Sequence, residues 1–212
     1  MKKLIVALDV NEKPKALSLI DKLSPWVDIF KIGPVLFLND GQEIVKKIKN
    51  IGKEVFLDLK FHDIPATVQR SVESAQKMGV YSLTLHSSGG EEMLKAAASV
   101  NPRPKLWAVT VLTSQESSVE EVVKRAKLAK ACGLDGVISS PLEAEIIKKE
   151  CGKDFSVVTP GVRLEKTNDD QKRTATPKAA IKAGADFIVV GRPVIEADNP
   201  VDIAQRINKE IE

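Results

Sequence analysis

The chain has little of what staples, ligates or stacks. Only two cysteines, Cys132 and Cys151, stand among its 212 residues. Each lies beside a glycine near the end of a helical pattern, so no disulfide framework or metal knuckle follows. Two free thiols fit a reducing compartment. The two histidines, His62 and His86, are not in His-x3-His spacing, which removes that zinc-helix pattern. Aromatic residues make up 4%, and no basic patch carries them, so the usual stacking platform for nucleic acid is missing. Neither sign of charge dominates: 32 Lys and Arg against 29 Asp and Glu leave a net +3. Stretches such as EIVKKIKNIGKE mix lysines and acids as solvated helix faces do. Long apolar runs are also lacking. The start, MKKLIVALDVNEK, has an apolar run at 4–8 before Asp9, too short for a signal peptide, and no later run approaches membrane length. The expectation is a soluble cytoplasmic protein with neither nucleic acid nor membrane as partner.

What is abundant is a repeat of short apolar runs and amphipathic patterns. The runs are LIVAL (4–8), DIFKI (28–32), EVFLDL (54–59), SLTLH (82–86), KLWAVTV (105–111), DGVIS (135–139), SVVTP (156–160) and DFIVV (186–190). Segments with apolar residues three and four apart separate them. Several end in glycine, at Gly52, Gly79, Gly133, Gly152 and Gly184, as helices do. The spacing averages about 26 residues, enough for one strand, one helix and two tight loops. Strands apolar on both faces and alternating with helices imply a parallel sheet. Eight such units imply closure into a single-domain α/β (β/α)8 TIM barrel over 1–212. An open dinucleotide-binding sheet is disfavoured, because no GxGxxG follows the first strand.

Active sites of this fold lie at the C-terminal strand ends. Polar residues gather there: Asp9 after strand 1, Lys31 in strand 2, Asp58 and Lys60 closing strand 3, Asp63 beyond it, His86 ending strand 4, Thr113 after strand 5, Pro160 and Gly161 after strand 7, and Gly191 with Arg192 after strand 8. Strand alternation places Phe56, Asp58 and Lys60 on one face. Asp58 with Lys60 alone equally suits a structural ion pair, but Lys31 nearby and Asp63 extend it to an alternating array in which carboxylates keep ammonium groups charged. Arg163, Gln171, Gly191 and Arg192 sit in the loops after strands 7 and 8, where barrels of this kind hold phosphate. The polar stretch 162–176 has no apolar period and suits a lid. His62, His86, Trp26 and Trp107 are assigned to packing or hydrogen bonding, and SSGG (87–90) to a strand-to-helix turn.

The segment DLKFHDIPATV (58–68), together with ALDV, FKIG, VTPGVR, DDQKR and VVGRP, resembles the orotidine 5′-monophosphate decarboxylases. Related metal-dependent barrels acting on sugar phosphates share Asp-x-Lys-x-x-Asp but usually lack the Ile-Pro-x-Thr continuation. One departure is Ala66, where the family often has Asn. The resemblance implies a cofactor-independent, metal-free conversion of orotidine 5′-monophosphate to uridine 5′-monophosphate in pyrimidine biosynthesis. It implies that Lys31, Asp58, Lys60 and Asp63 form the catalytic tetrad, with Lys60 as proton donor to C6. Asp9 and Lys31 contact ribose, and Thr113 lies beside the pyrimidine. Pro160, Arg163, Gln171, Gly191 and Arg192 bind the ligand, and the last three of these hold its phosphate. Asp63 and Thr67 serve the neighbouring site of a homodimer. The alternatives are a metal-dependent sugar-phosphate lyase on the same barrel and a non-catalytic nucleotide-binding barrel.

Overall fold

A computed structural model describes residues 1–115, 117–164 and 174–212. Eight parallel strands close on themselves in chain order. They are β1 (Leu4–Ala7), β2 (Ile29–Ile32), β3 (Glu54–Phe61), β4 (Ser82–His86), β5 (Lys105–Val109), β6 (Gly136–Ile138), β7 (Ser156–Thr159) and β8 (Phe187–Val190). Helices α1 (Lys13–Leu23), α2 (Pro34–Asp40), α3 (Gln42–Asn50), α4 (Pro65–Lys77), α5 (Gly90–Ala98), α6 (Val119–Ala131), α7 (Ala144–Cys151), α8 (Pro177–Lys182), α9 (Arg192–Ile195) and α10 (Pro200–Ile211) connect and follow them. The barrel read from the sequence is the barrel observed.

Two helices escaped the pattern. In α2 only Leu36 is buried, while Val35 and Leu38 are exposed, so its sequence carries no buried stripe. The other, α9, is a single turn. At the helix ends, Gly52, Gly79, Gly133, Gly152 and Gly184 all have positive φ. There a side chain is strained and glycine is not.

The strands are apolar on both faces because each face meets a different core. Leu4 and Val6 of β1 face the helices, within the large outer cluster. Ile5 and Ala7 face inward, with Ile29, Phe56, Trp107, Val158 and Val189. Trp107 fills the middle of this interior, its ring 4.8 Å from Phe56 and 5.7 Å from Phe187. The sequence period then does something useful. Continuing each inward row toward the C-terminal end leads from Ile5 and Ala7 to Asp9, from Ile29 to Lys31 and from Phe56 to Asp58. The apolar floor and the charged rim belong to the same faces of the same strands.

The opposite end is closed by carboxylates that precede strands. Asp28, Asp135 and Asp186 accept backbone N–H bonds from Lys2, Leu106 and Val157, at 2.8, 2.9 and 2.7 Å. Asp135 also pairs with Arg103 and Lys105. Leu106 and Val157 lie at the starts of β5 and β7 and Lys2 just before β1, and giving these amides a charged acceptor stabilises the barrel floor.

Gly136 sits in register with Trp107 on β5 and Ser156 on β7. A methyl group on it would overlap the Ser156 carbonyl and Cβ. Backbone atoms of a closed sheet have little room to retreat, so Gly136→Ala is expected to destabilise the protein by about 2–3 kcal/mol. Urea unfolding measures this; an unchanged midpoint would show that β7 yields freely.

Candidate active site

The rim residues surround a cavity of about 500 Å³ at the C-terminal end of the barrel. One part of its wall is apolar, from Ala7, Phe56, Val109, Ile138 and Val189. Asp9, Lys31, Asp58 and Lys60 line it as well. So do Thr113, Ser114, Pro160, Gly161, Arg163, Gly191, Arg192 and Glu196. Most of the positions singled out in the sequence therefore meet in one space.

The charged groups form a chain of contacts. Lys31 Nζ lies 3.0 Å from Asp9 Oδ1 and 3.4 Å from Asp58 Oδ2. Lys60 Nζ lies 2.8 Å from the same Asp58 Oδ2. Asp58 Oδ1 accepts a 2.9 Å bond from the Thr84 hydroxyl. Burial of Lys31 opposes its charge, but Asp58 and Asp9 outweigh it and its pKa lies above the ordinary lysine value. Burial likewise pushes Asp58 up, and Lys31, Lys60 and the Thr84 hydroxyl together bring it below the usual carboxylate value. Both groups are thus held ionised by each other. Gly33 leaves room for this arrangement: a Cβ there would come 3.1 Å from Asp9 Oδ1 and 3.5 Å from Lys31 Nζ.

Lys60 and Asp58 come together, but not by simple alternation. The β3–β4 ladder pairs Leu57 with Leu83, then slips and pairs Phe61 with Leu85. Within the slip Lys60 has φ 50°, the one described non-glycine residue with positive φ. The strand bulges, and the lysine is turned rather than merely alternated into the cavity mouth.

Asp63 does not join the array of its own chain. It is exposed, and its Oδ1 accepts the next residue's N–H at 2.7 Å. Thr67, also exposed, lines a separate groove beside β3 and α4. Within one chain the second carboxylate of the array is Asp9. Arg163 is buried, and its Nη1 donates to the Val162 carbonyl at 3.0 Å. Arg192 stands exposed at the rim, with Glu196 one turn on. Gln171 and most of the 162–176 stretch fall outside the described residues. The ends of that stretch are tied by a bridge between Val162 and Ala175, with Arg163 N–H on the Ala175 carbonyl at 3.0 Å. Thr84, Ser114 and Glu196 went unread in the sequence; none belongs to a motif that marks it.

Among the described residues, no three His, Cys, Asp or Glu side chains are grouped to hold a metal ion. The two imidazoles face one another, with ring centroids 5.6 Å apart, and neither lines the cavity. What the cavity offers is fixed positive charge at Lys31 and Lys60 beside an apolar wall, and further cationic groups at Arg163 and Arg192. An anionic group can be gripped by the guanidinium ions while charge developing on a reacting carbon meets Lys60.

The profile of the family described as Orotidine 5'-phosphate decarboxylase / HUMPS family matches residues 2–207. The chain belongs to that family. Family members of similar sequence include the orotidine 5'-phosphate decarboxylase of Geobacter sp. (strain M21), 46% identical over 100% of this chain and 96% of that protein. The protein of the same name from Haemophilus influenzae (strain PittEE) is 44% identical over 99% of this chain and 98% of its own length. Among solved structures, the crystal structure of orotidine 5'-phosphate decarboxylase from Lactobacillus acidophilus superposes with a TM-score of 0.87 at 37% identity, covering 100% of both chains.

The His86 imidazole has its pKa lowered by burial first, then by His62, Lys60 and Arg125, against a smaller opposing effect of Asp58. An unfolded histidine takes up a proton near pH 6.5, the folded one only at lower pH. His86 therefore contributes stability that is present above about pH 6.5 and lost as pH falls toward the folded value. His86→Asn is expected to show a smaller loss of urea midpoint between pH 7 and pH 5 than the parent protein. An equal or larger loss would mean that His86 is not held neutral.

Proposed function

We propose that this protein decarboxylates orotidine 5′-monophosphate to uridine 5′-monophosphate, the step that completes uridine 5′-monophosphate in pyrimidine biosynthesis. The observation that carries the reading is the Lys60 ammonium at 2.8 Å from a buried Asp58 carboxylate, at an apolar-walled cavity that Arg163 and Arg192 also line. Its full-length relatives bear the name of that activity.

In this reading the phosphate lies toward Arg192, Gly191 and Gln171, with Arg163 and Pro160 along the ligand. Asp9 and Lys31 take the ribose hydroxyls, and Thr113 stands beside the pyrimidine. The bond from C6 to the carboxylate breaks, CO2 leaves, and the electron pair stays on C6. No neighbouring carbonyl can accept that charge, so a placed cation must stabilise it. Lys60 supplies the charge and then a proton to C6, and its amine regains a proton from solvent. Asp58 holds the Lys60 ammonium in place. Binding of the remote phosphate helps to organise this geometry. The stretch 162–176 serves as the lid. A cytoplasmic setting belongs to the same reading, supported by two free buried cysteines.

The assay is ultraviolet monitoring of orotidine 5′-monophosphate with purified protein and excess chelator. Full turnover is expected, with Lys60→Ala slower by about a thousandfold or more. Turnover that requires added Mg2+ would favour the metal-dependent sugar-phosphate lyase. Tight nucleotide binding without turnover would favour a binding barrel.

The reading includes a homodimer in which Asp63 and Thr67 complete the partner's site. Supporting it are the outward position of both residues and the exposed apolar side chains of Val35, Leu38 and Ile64. In a two-fold assembly one patch serves both subunits. Mixing Lys60→Ala with Asp63→Ala then places both defects in one site of the heterodimer and neither in the other. Activity is expected to return to about half the parent level per heterodimer. Verified subunit exchange without recovery would mean that Asp63 acts within its own chain.

A further inference from the structure

The β3–β4 ladder is interrupted where the site needs its lysine. Leu57 pairs with Leu83 and Phe61 with Leu85, so four residues of β3 span what two span on β4. Thr84 is the residue of β4 opposite that interruption. Its side chain is fully buried. The Lys60 backbone N–H donates to Thr84 Oγ1 at 2.9 Å, and the same hydroxyl donates to Asp58 Oδ1 at 2.9 Å.

We propose that Thr84 is a positioning residue for the decarboxylation, its hydroxyl holding the Lys60 backbone and the Asp58 carboxylate in the one relative placement that aims the Lys60 ammonium. The inference rests on the functional reading above and adds a residue to it. A hydroxyl has one proton to donate and lone pairs to accept with. The proton goes to Asp58 Oδ1, which turns Oδ2 toward Lys31 and Lys60. A lone pair takes the Lys60 amide, which stands where the ladder slips. That bond also holds Lys60 at φ 50°, a conformation that a side-chain-bearing residue adopts only when its surroundings impose it. One buried oxygen thus sets both ends of the Asp58–Lys60 pair. Misplacement of a reacting group by about 1 Å is enough for a hundredfold loss of rate.

Thr84→Val keeps the shape and removes the hydroxyl; Thr84→Ser keeps the hydroxyl. With orotidine 5′-monophosphate, kcat of Thr84→Val is expected to fall at least about tenfold. The affinity for the product, uridine 5′-monophosphate, should change by less than about threefold, because the phosphate contacts are remote. Thr84→Ser should regain most of kcat. A Thr84→Val kcat within about twofold of the parent, a Thr84→Ser variant as slow as Thr84→Val, or a loss of product affinity parallel to kcat would overturn the proposal. Hydrogen exchange of the Lys60 amide gives a readout that needs no turnover. It should quicken at least about tenfold in Thr84→Val and stay slow in Thr84→Ser; unchanged exchange in Thr84→Val overturns the proposal too. A parent protein that leaves the substrate untouched would sink the decarboxylase reading, while the exchange measurement still decides whether Thr84 holds Lys60.

Discussion

A carboxylate buried at the mouth of a barrel must be met by cations or lose its charge. Asp58 is that carboxylate, and the arrangement around it follows from the requirement. Lys31 and Lys60 share its Oδ2, while Thr84 serves its Oδ1. Take away Asp58 and, among the described residues, Lys31 keeps only the half-exposed Asp9 as a carboxylate partner, while Lys60 loses its one described carboxylate contact. The two lysines are ordered because one acid is buried between them, and the acid stays ionised because of the two lysines.

The barrel makes this arrangement possible through the alternation of its strands. Inward side chains rise in layers from Trp107 and its aromatic neighbours, through Ala7 and Phe56, to the charged rim. The apolar layers keep water from beneath the charges, so that the ionic contacts act in a medium of low polarizability. The far end of the barrel is stabilised by Asp28, Asp135 and Asp186 on strand-start amides. Acids of the same type therefore do different work at the two ends. At the floor they accept backbone N–H bonds and pair with lysines as well; at the rim Asp9 and Asp58 hold the ammonium groups of Lys31 and Lys60.

Much of this was legible in the chain. The eight apolar runs announce the barrel because both faces of each strand are buried. The rim residues announce a cavity because charge at the end of such a run has few other places to go. The unread parts are non-local or lack a pattern. The α2 helix hides because Val35 and Leu38 point to solvent, so burial leaves no period in its letters. Thr84 sits in SLTLH as an ordinary strand threonine, and its importance arises only from a slip in the neighbouring ladder. Asp63, five residues past Asp58, reads as a member of the array, yet its side chain lies outside the chain's own cavity. A short turn carries Asp63 out of its own chain's cavity, and Asp9, far upstream, contacts Lys31 there.

The left-handed backbone at Lys60 has a consequence for how this position can change over generations. A residue with a Cβ held there costs about 1 kcal/mol or more relative to glycine. Stability alone would favour glycine or asparagine at this position, and in the functional reading proposed above the ammonium group is what keeps a lysine there. Lysine at this φ is therefore a mark of work under constraint: in a descendant relieved of the chemistry, this is among the first places where the ancestral residue would be lost.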